Sequence, residues 1–240
     1  MTITQNNTVA QVVAENIKAA HVFKKHGIDF CCGGGISIEK ACEKNNVDFK
    51  TLEQDLLIVN ELPNRGVDYN NWDLNFLMGH IINIHHSYVE ESSQILLQYA
   101  EKVANVHGHH YTEVVQVHIL LQDIISELAS HMKKEELILF PYIQQLVEAE
   151  KAGTPAAFPQ FGSVNNPIKM MESEHEHAGD TFKAIAKITN NYTPPEEACN
   201  TFRAFYALLD EFEQDLHQHI HLENNILHPK AKALEIKVMG

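Results

Sequence analysis

The chain has 240 residues, 44% of them hydrophobic, which suffices for one large domain or for a medium-sized domain with a small one. Its 32 acidic and 18 basic side chains give a net charge of −14, which argues against nucleic acid or an anionic membrane as a partner. Four cysteines are too few and too unevenly spaced for a disulfide scaffold. The opening MTITQNNTVAQVV lacks the features of a secretory signal, and no apolar run approaches the roughly 18 residues of a membrane span. We therefore expect a soluble cytoplasmic protein.

Residues 1–66 are predicted to form a small helical domain. Its first helix runs from Thr8 to His26, with apolar residues on one side and Gly27 as a stop signal. A loop with the sequence Asp-Phe-Cys-Cys-Gly-Gly-Gly follows at 29–35. The rest of this domain is predicted as two short helices and a linker, at about residues 37–44, 49–62 and 63–66.

Residues 67–240 are predicted to form an all-α, nearly up-down-up-down bundle. Pro141 should bend the second bundle helix. Asn166 and Pro167 fit the N-cap and first position of the third helix. The sequence Thr-Pro-Pro-Glu at 193–196 fits a capping box at the start of the fourth. The expected helices are at about residues 73–104, 111–148, 166–189 and 193–234.

A sequence repeat lies on the second and fourth bundle helices. The segment 131–141 (HMKKEELILFP) recurs at 219–229 (HIHLENNILHP), and both copies contain His-x-x-x-Glu. Four residues advance a helix by slightly more than one turn, so each histidine and glutamate share one face. Two such pairs can surround a pair of metal ions.

The polar residues of this repeat interrupt apolar stripes whose spacing alternates between three and four residues, as expected for core positions. A buried carboxylate without a partner is costly, so these stripes indicate a bound cation. The stripes of the first and third bundle helices each contain one further histidine. Dinuclear carboxylate sites in four-helix bundles are built in this general manner. The predicted metal ligands are His86, His131, Glu135, His175, His219 and Glu223.

The ligand pattern and the leading Asp-Phe-Cys-Cys-Gly-Gly motif together resemble the iron–sulfur cluster repair (RIC, repair of iron centres) family, whose bundle is a hemerythrin-like HHE domain. Met-Glu-Ser-Glu-His at 171–175 and Leu-Glu-Asn-Asn at 222–225 also resemble segments of this family. The resemblance covers nearly the whole chain. It implies a hemerythrin-like four-helix bundle preceded by a small helical domain, and a centre of two iron ions bridged by the two glutamates. It also implies a cytoplasmic homodimer, induced by nitric oxide or oxidative stress, that donates iron to damaged iron–sulfur proteins.

From ligand chemistry alone, zinc, manganese and copper remain open, and intrinsic affinity favours copper.

Four further residues are candidates for iron movement. Glu127 lies one turn before His131 and Glu174 adjoins His175, so both could form a polar iron path or simply be solvated. Glu136 is one residue off the stripe and is expected at the surface. Cys31 and Cys32 could form an exposed thiol site for transient metal or cluster contact, because thiolates are soft ligands.

The same predicted centre allows other functions. Oxygen-carrying hemerythrins use five histidines with one Asp and one Glu, whereas four histidines are found here, which argues against simple oxygen carriage. Reduction of nitric oxide by two paired irons is the enzymatic alternative to repair. A redox or gas sensor, or an iron store, is the non-catalytic one.

Overall fold

The computed structural model describes residues 3–61 and 67–239 of the chain. The predicted linker 63–66 lies outside the described residues. Within them the fold is all-α, as predicted, and the only pairing of β type is an isolated bridge between Thr8 and Ser37. None of the helices in the described ranges is both long enough and apolar enough to cross a membrane.

The N-terminal unit contains four short helices: α1 (Val9–Glu15), α2 (Ala19–Lys25), α3 (Ile38–Asn45) and α4 (Phe49–Glu61). The prediction of one helix from Thr8 to His26 is wrong, because the chain turns into an extended conformation at Asn16. The buried amide of Asn16 donates to the carbonyl of Val59 at 3.4 Å and accepts from the backbone N–H of Lys18 at 3.2 Å. The break thus coincides with a contact to α4, more than 40 residues away in the chain. Gly27 follows α2 with a φ of +69°, which suits the predicted stop.

The bundle consists of four helices, three of which contain a π-helical segment. Helix α5 is built from Leu74–His80, π segment Ile81–His86 and Ser87–His107, and α6 from Thr112–Lys134, π segment Glu135–Leu139 and Phe140–Ala152. Helix α7 is continuous over Asn165–Ile188, and α8 is built from Asn200–Leu222, π segment Glu223–Leu227 and His228–Met239. The four predicted helices are all present, and the predicted bend near Pro141 coincides with the end of a π segment.

The starts of the last two helices differ from the prediction. Helix α7 begins at Asn165, and Asn166 lies in its first turn with its amide donating to the carbonyl of Phe161 at 2.7 Å, so Asn166 is not the N-cap. The predicted capping box at 193–196 is also wrong, because α8 begins at Asn200. Residues 190–192 have positive φ and end the preceding turn in a left-handed conformation. The guanidinium of Arg203 then donates to backbone carbonyls at 196 and 198, which holds this segment outside the helix.

Two apolar clusters make up the core, and the predicted ligands lie between them. One cluster joins the N-terminal unit to one end of the bundle, and it includes Phe23, Leu56 and Leu216. The second surrounds the other ends of α5–α8 and includes Leu139 and Leu222. The two predicted domains thus share an apolar core, and their boundary at residue 66 stays a prediction because it lies outside the described residues.

Glu235 anchors the start of α7 to the end of α8, although both are far apart in the chain. Its buried carboxylate accepts from the N–H of Val164 at 2.7 Å, the hydroxyl of Ser163 at 2.7 Å and the hydroxyl of Tyr142 at 3.0 Å. We expect Glu235→Ala to lower the free energy of unfolding by about 3 kcal/mol, because it leaves buried donors without an acceptor. Urea unfolding measures the change, and exposed Glu148→Ala should shift the same curve by less than about 0.5 kcal/mol.

Candidate metal centre

The structure brings the six predicted ligands together in one buried layer of the bundle. His86 comes from α5, His175 from α7, and the two His/Glu pairs from α6 and α8, and each side chain is at most 3% exposed. These residues form two groups, each with one donor atom per residue within 4.8 Å of the others. The groups are His86, Glu135, His219 and Glu223, and His131, Glu135, His175 and Glu223. Both carboxylates belong to both groups, which is the arrangement that two bridged cations require.

Each carboxylate reaches one histidine of each group. Glu135 places one oxygen 3.4 Å from Nε2 of His86 and the other 3.3 Å from Nε2 of His131. Glu223 places its two oxygens 3.1 Å from Nε2 of His175 and 3.1 Å from Nε2 of His219. In each glutamate, the two oxygens face imidazoles of different groups. This is expected of a carboxylate that bridges two ions and not of a ligand to a single ion.

Several donor atoms of the cluster have no hydrogen-bonding partner. Both oxygens of Glu135, one oxygen of Glu223 and Nε2 of His86 are buried without one. Buried polar atoms of this kind are rare and unfavourable, and a bound cation would give them a partner. The nitrogen and oxygen donor set suits a first-row divalent metal such as iron, so the residues fit the implied group.

Without a cation, protons compensate the two negative charges. Burial alone would lower the pKa of His131, but the charges of Glu135 and Glu223 outweigh it and raise the pKa to about 9. Burial also tends to lower the pKa of His86, but the neighbouring carboxylates outweigh burial and raise this pKa. At His219 burial dominates and lowers the pKa. The pKa values of both glutamates are lowered despite burial, because the neighbouring imidazoles stabilise the carboxylate form. Metal binding must therefore displace protons from this cluster.

Outer partners fix the orientation of three of the imidazoles. Nδ1 of His86 lies 2.6 Å from Glu136, and Nδ1 of His175 lies 2.9 Å from the amide oxygen of Asn224. The sequence predicts Glu136 at the surface, and its side chain is 37% exposed, but it also contacts the ring of His86. The third partner is Glu174, which lies 2.8 Å from Nδ1 of His131 and also binds Lys134. Such contacts hold Nε2 of each ring toward the cluster.

A surface cleft leads from solvent to one side of the cluster. Its volume is about 340 Å³, and its lining includes Glu127, Glu174, His131 and His175. Glu127 is 57% exposed and pairs with His177 at 3.3 Å, so it lies at the outer end of the cleft. Glu174 lies at the inner end on His131. The two residues of the predicted iron path are thus at opposite ends of one opening, and their role as a path stays a prediction.

The cysteine loop packs on the bundle directly behind His175. The thiol of Cys32 donates to the backbone carbonyl of His175 at 3.4 Å. The amide of Asn225 donates to the carbonyls of Phe30 and Cys31 at 3.2 and 3.3 Å. The prediction of an exposed thiol pair is wrong, because Cys31 is only 3% exposed and Cys32 is half-buried. Long-range contacts with α7 and α8 hold the loop, and the sequence of the loop alone did not indicate them.

Comparisons with known proteins identify the family of the chain. The hemerythrin HHE cation binding domain matches residues 78–231, and the domain of unknown function ScdA_N matches residues 5–59. The iron–sulfur cluster repair proteins YtfE of Yersinia pseudotuberculosis serotype IB (strain PB1/+) and of Yersinia pestis (strain Pestoides F) are each 37% identical to it over 227 residues. Each alignment covers 95% of this chain and 97% of the relative. The chain belongs to the YtfE family of iron–sulfur cluster repair proteins.

The two family matches divide the functional residues between them. All six predicted ligands lie within the HHE match, whose description is that of a cation-binding domain, and this agrees with the buried histidine–glutamate cluster. The cysteine loop lies within the ScdA_N match. This chain thus combines a cation-binding bundle with the small N-terminal unit, and the two are in contact at His175.

Glu136 offers a test of how the YtfE-family bundle holds its histidines. We expect Glu136→Gln to weaken metal affinity roughly 10- to 100-fold, because the ring of His86 loses its charged partner at Nδ1. Competition with a chelator of known affinity measures the change. Glu90→Gln, on the exposed face of the same bundle, is the matched control and should leave affinity unchanged. An equal affinity in the two variants would contradict the positioning role of Glu136.

Proposed function

We propose that this protein repairs iron–sulfur clusters by donating iron from a centre of two ions held in the buried histidine–glutamate cluster. The observation that carries the proposal is the sharing of both carboxylates between two complete four-residue groups. The YtfE relatives are named for iron–sulfur cluster repair, and this supports iron as the metal and damaged clusters as the targets.

The ligands divide between the two ions according to the groups. His86 and His219 would complete one site and His131 and His175 the other, with Glu135 and Glu223 bridging both. Each ion would then have two nitrogen and two oxygen ligands from the protein, which leaves coordination positions free for water, a bridging oxygen or an acceptor. Iron bound in this way supplies exchangeable metal and, in its ferrous form, electrons. A ligand set with no thiolate favours release of iron to a cluster target with soft ligands.

The residues around the cluster suit loading and release. Lys134 and Glu174 close the inner end of the cleft beside His131, and Glu127 stands at its mouth. Acidic side chains along such an opening attract a divalent cation and shield it from the apolar walls. We assign Glu127 and Glu174 to an iron path. Cys31 and Cys32, on the other side of His175, are assigned to the transfer of iron or cluster fragments.

An anaerobic repair assay tests the function. The iron-loaded protein is added to an enzyme whose [4Fe–4S] cluster has been damaged by nitric oxide, and recovered activity is compared with iron lost from the protein. We expect the activity of the cluster enzyme to recover in proportion to the iron transferred. The variant Cys31→Ser/Cys32→Ser should load iron normally, but recovery of the enzyme should fall at least about tenfold, as expected for the loss of metal ligands. Cys42→Ser/Cys199→Ser is the matched control with normal recovery.

The same preparation tests the enzymatic alternative. If the reduced protein forms nitrous oxide from nitric oxide over many turnovers without losing iron, catalysis and not donation is its function. Reversible binding of nitric oxide with neither turnover nor iron loss would indicate a sensor. Either outcome, together with absent recovery of the cluster enzyme, would contradict the repair proposal.

We also propose a homodimer in the cytoplasm, in line with the family resemblance of the sequence. The N-terminal unit, which is too small to bury a core alone, packs on the bundle of its own chain, so its size is not an argument for a dimer. Light scattering of the eluting protein at several concentrations measures the mass. A single 27.2 kDa species at all concentrations would contradict the dimer.

A further inference from the structure

Asp29, Cys31 and Cys32 place two sulfur atoms and one carboxylate within 4.8 Å of one another, outside the histidine–glutamate cluster. The two sulfurs are 3.7 Å apart, and Oδ1 of Asp29 is 3.3 Å from Sγ of Cys31. Around a tetrahedral ion with metal–sulfur bonds of about 2.3 Å and metal–oxygen bonds of about 2.0 Å, the sulfur–sulfur edge is about 3.8 Å and the sulfur–oxygen edge about 3.5 Å. Both measured edges are thus close to those of a metal tetrahedron, and the third pair, Cys32 with Asp29, also lies within 4.8 Å.

The loop is held in this arrangement by contacts on both sides. Oδ1 of Asp29 accepts from the backbone N–H groups of Cys31 and Cys32 at 3.1 and 3.0 Å, which holds the backbone of both cysteines close to the carboxylate. Gly34 is required by packing, because a Cβ there would lie 2.3 Å from the carbonyl oxygen of Phe30. Asn225 fixes the loop from α8. Little rearrangement would be needed for a metal to bind, which lowers the cost of binding.

A cleft open to solvent borders two of these three donors. A cleft of about 720 Å³ between the N-terminal unit and α7–α8 is lined by Asp29 and Cys31. Lys183, on α7, donates to Oδ2 of Asp29 at 2.9 Å and leaves Oδ1 facing the sulfurs. The pKa of Asp29 is about 2 despite its burial, because Lys183 and backbone N–H groups stabilise the carboxylate, so the negative ligand is present at neutral pH. Because two of the three donors line this cleft, a fourth ligand would enter from it.

We propose that Asp29, Cys31 and Cys32 form a second metal site, which binds one divalent transition-metal ion through two thiolates and one carboxylate and leaves a fourth position open. On binding, two S–H bonds break, two metal–sulfur bonds form, and two protons leave to solvent, with no change in oxidation state. The cation takes the place of the thiol proton that Cys31 now directs to Asp29. If the proposed repair function holds, this site is where iron leaves the protein, because a ligand of the acceptor can enter the open position.

The test is an anaerobic titration of the full-length, iron-loaded protein with Co²⁺. Tetrahedral Co²⁺ with thiolate ligands gives sulfur-to-cobalt charge-transfer absorption and intense visible bands, which histidine and carboxylate ligands alone do not give. We expect one equivalent to produce these bands in the wild type. Cys31→Ser/Cys32→Ser should abolish them, and Asp29→Asn, whose amide oxygen can still accept from the two backbone N–H groups, should weaken binding roughly 10-fold or more.

Three controls make the result decisive. Cys42→Ser/Cys199→Ser should retain the bands, and all variants should keep the wild-type circular dichroism and iron content. If the double variant of the pair does not fold, Cys32→Ser alone, at the half-buried position, replaces it. The proposal is overturned if thiolate bands are absent from the wild type, persist without Cys31 and Cys32, or disappear with Cys42 and Cys199. Thiolate bands together with no cluster repair would instead refute the proposed function and leave the second site standing.

Discussion

Replacing Glu135 and Glu223 together by alanine is expected to reduce bound iron from about two ions per chain to nearly none. Each carboxylate contributes an oxygen to both four-residue groups, so the double variant leaves only a pair of imidazoles for each ion. Two neutral ligands without a negative charge cannot offset the desolvation of a divalent cation in a buried site. Elemental analysis gives the stoichiometry, and Mössbauer spectroscopy of the wild type shows whether the ions form a coupled pair.

Single, nearly isosteric variants separate ligand loss from unfolding. Glu135→Gln and Glu223→Gln keep the volume of the side chain while removing its charge, and each should lower the iron content of the purified protein by at least half. Glu90→Ala/Glu148→Ala removes the same number of acidic residues from exposed positions and should leave the iron content unchanged. Iron retained at wild-type stoichiometry in the double alanine variant would refute both the metal centre and the repair function built on it.

The burial and convergence of the six polar residues could be predicted because they replace apolar residues in regular helical stripes. Leu128, His131 and Glu135 follow one another at core spacing, and all three are buried. The spacing of three and four residues that places Leu128 in the core also places Glu135 there. The same pattern therefore predicts that Glu135 is buried and that its charge needs a partner. The four long helices followed from the same stripes.

What the sequence did not indicate depends on small local shifts or on distant contacts. A π segment begins at Glu135 and another at Glu223. The apolar spacing of the sequence around each segment is that of an ordinary α-helix, so it does not predict the wider turn. The wider π turn is where Glu136 meets His86, although an α-helical projection places it at the surface. The burial of the cysteine loop depends on Asn225, almost 200 residues away in the chain, and no local pattern encodes that contact.

The metal-free protein is expected to lose stability as pH rises from about 6.5 to 9, and the iron-loaded protein is not. His131 has a pKa of about 9 in the metal-free fold against 6.5 for an ordinary histidine, so its protonation stabilises the fold fully below 6.5. This contribution is lost as pH passes through about 9. Its size is on the order of 3 kcal/mol, from about 1.4 kcal/mol for each unit of pKa difference. His86 changes in the same direction, and His219, whose pKa is lowered, offsets part of the loss.

The metal-free protein is also expected to lose stability at low pH, and this loss comes from the carboxylates. Glu135 and Glu223 have lowered pKa values in the fold, so their contribution is present above 4.5 and is lost as pH falls below it. Stability of the chelator-treated protein should therefore be greatest between about 4.5 and 6.5. Urea unfolding followed by circular dichroism measures this profile from about pH 2 to 10, in steps of about one unit, which resolves shifts of this size.

His131→Gln in the metal-free protein isolates the alkaline effect. This variant should be less stable than the wild type at pH 6 and nearly equal to it at pH 10, because the wild type has by then lost its proton. Iron in the wild type replaces the proton between the carboxylates and the imidazoles, so the loaded protein should keep its stability to pH 9 and should release protons when iron binds at pH 7. Parallel profiles for loaded and metal-free protein would mean that cation and proton do not compete, and that the histidine–glutamate cluster is not where the metal resides.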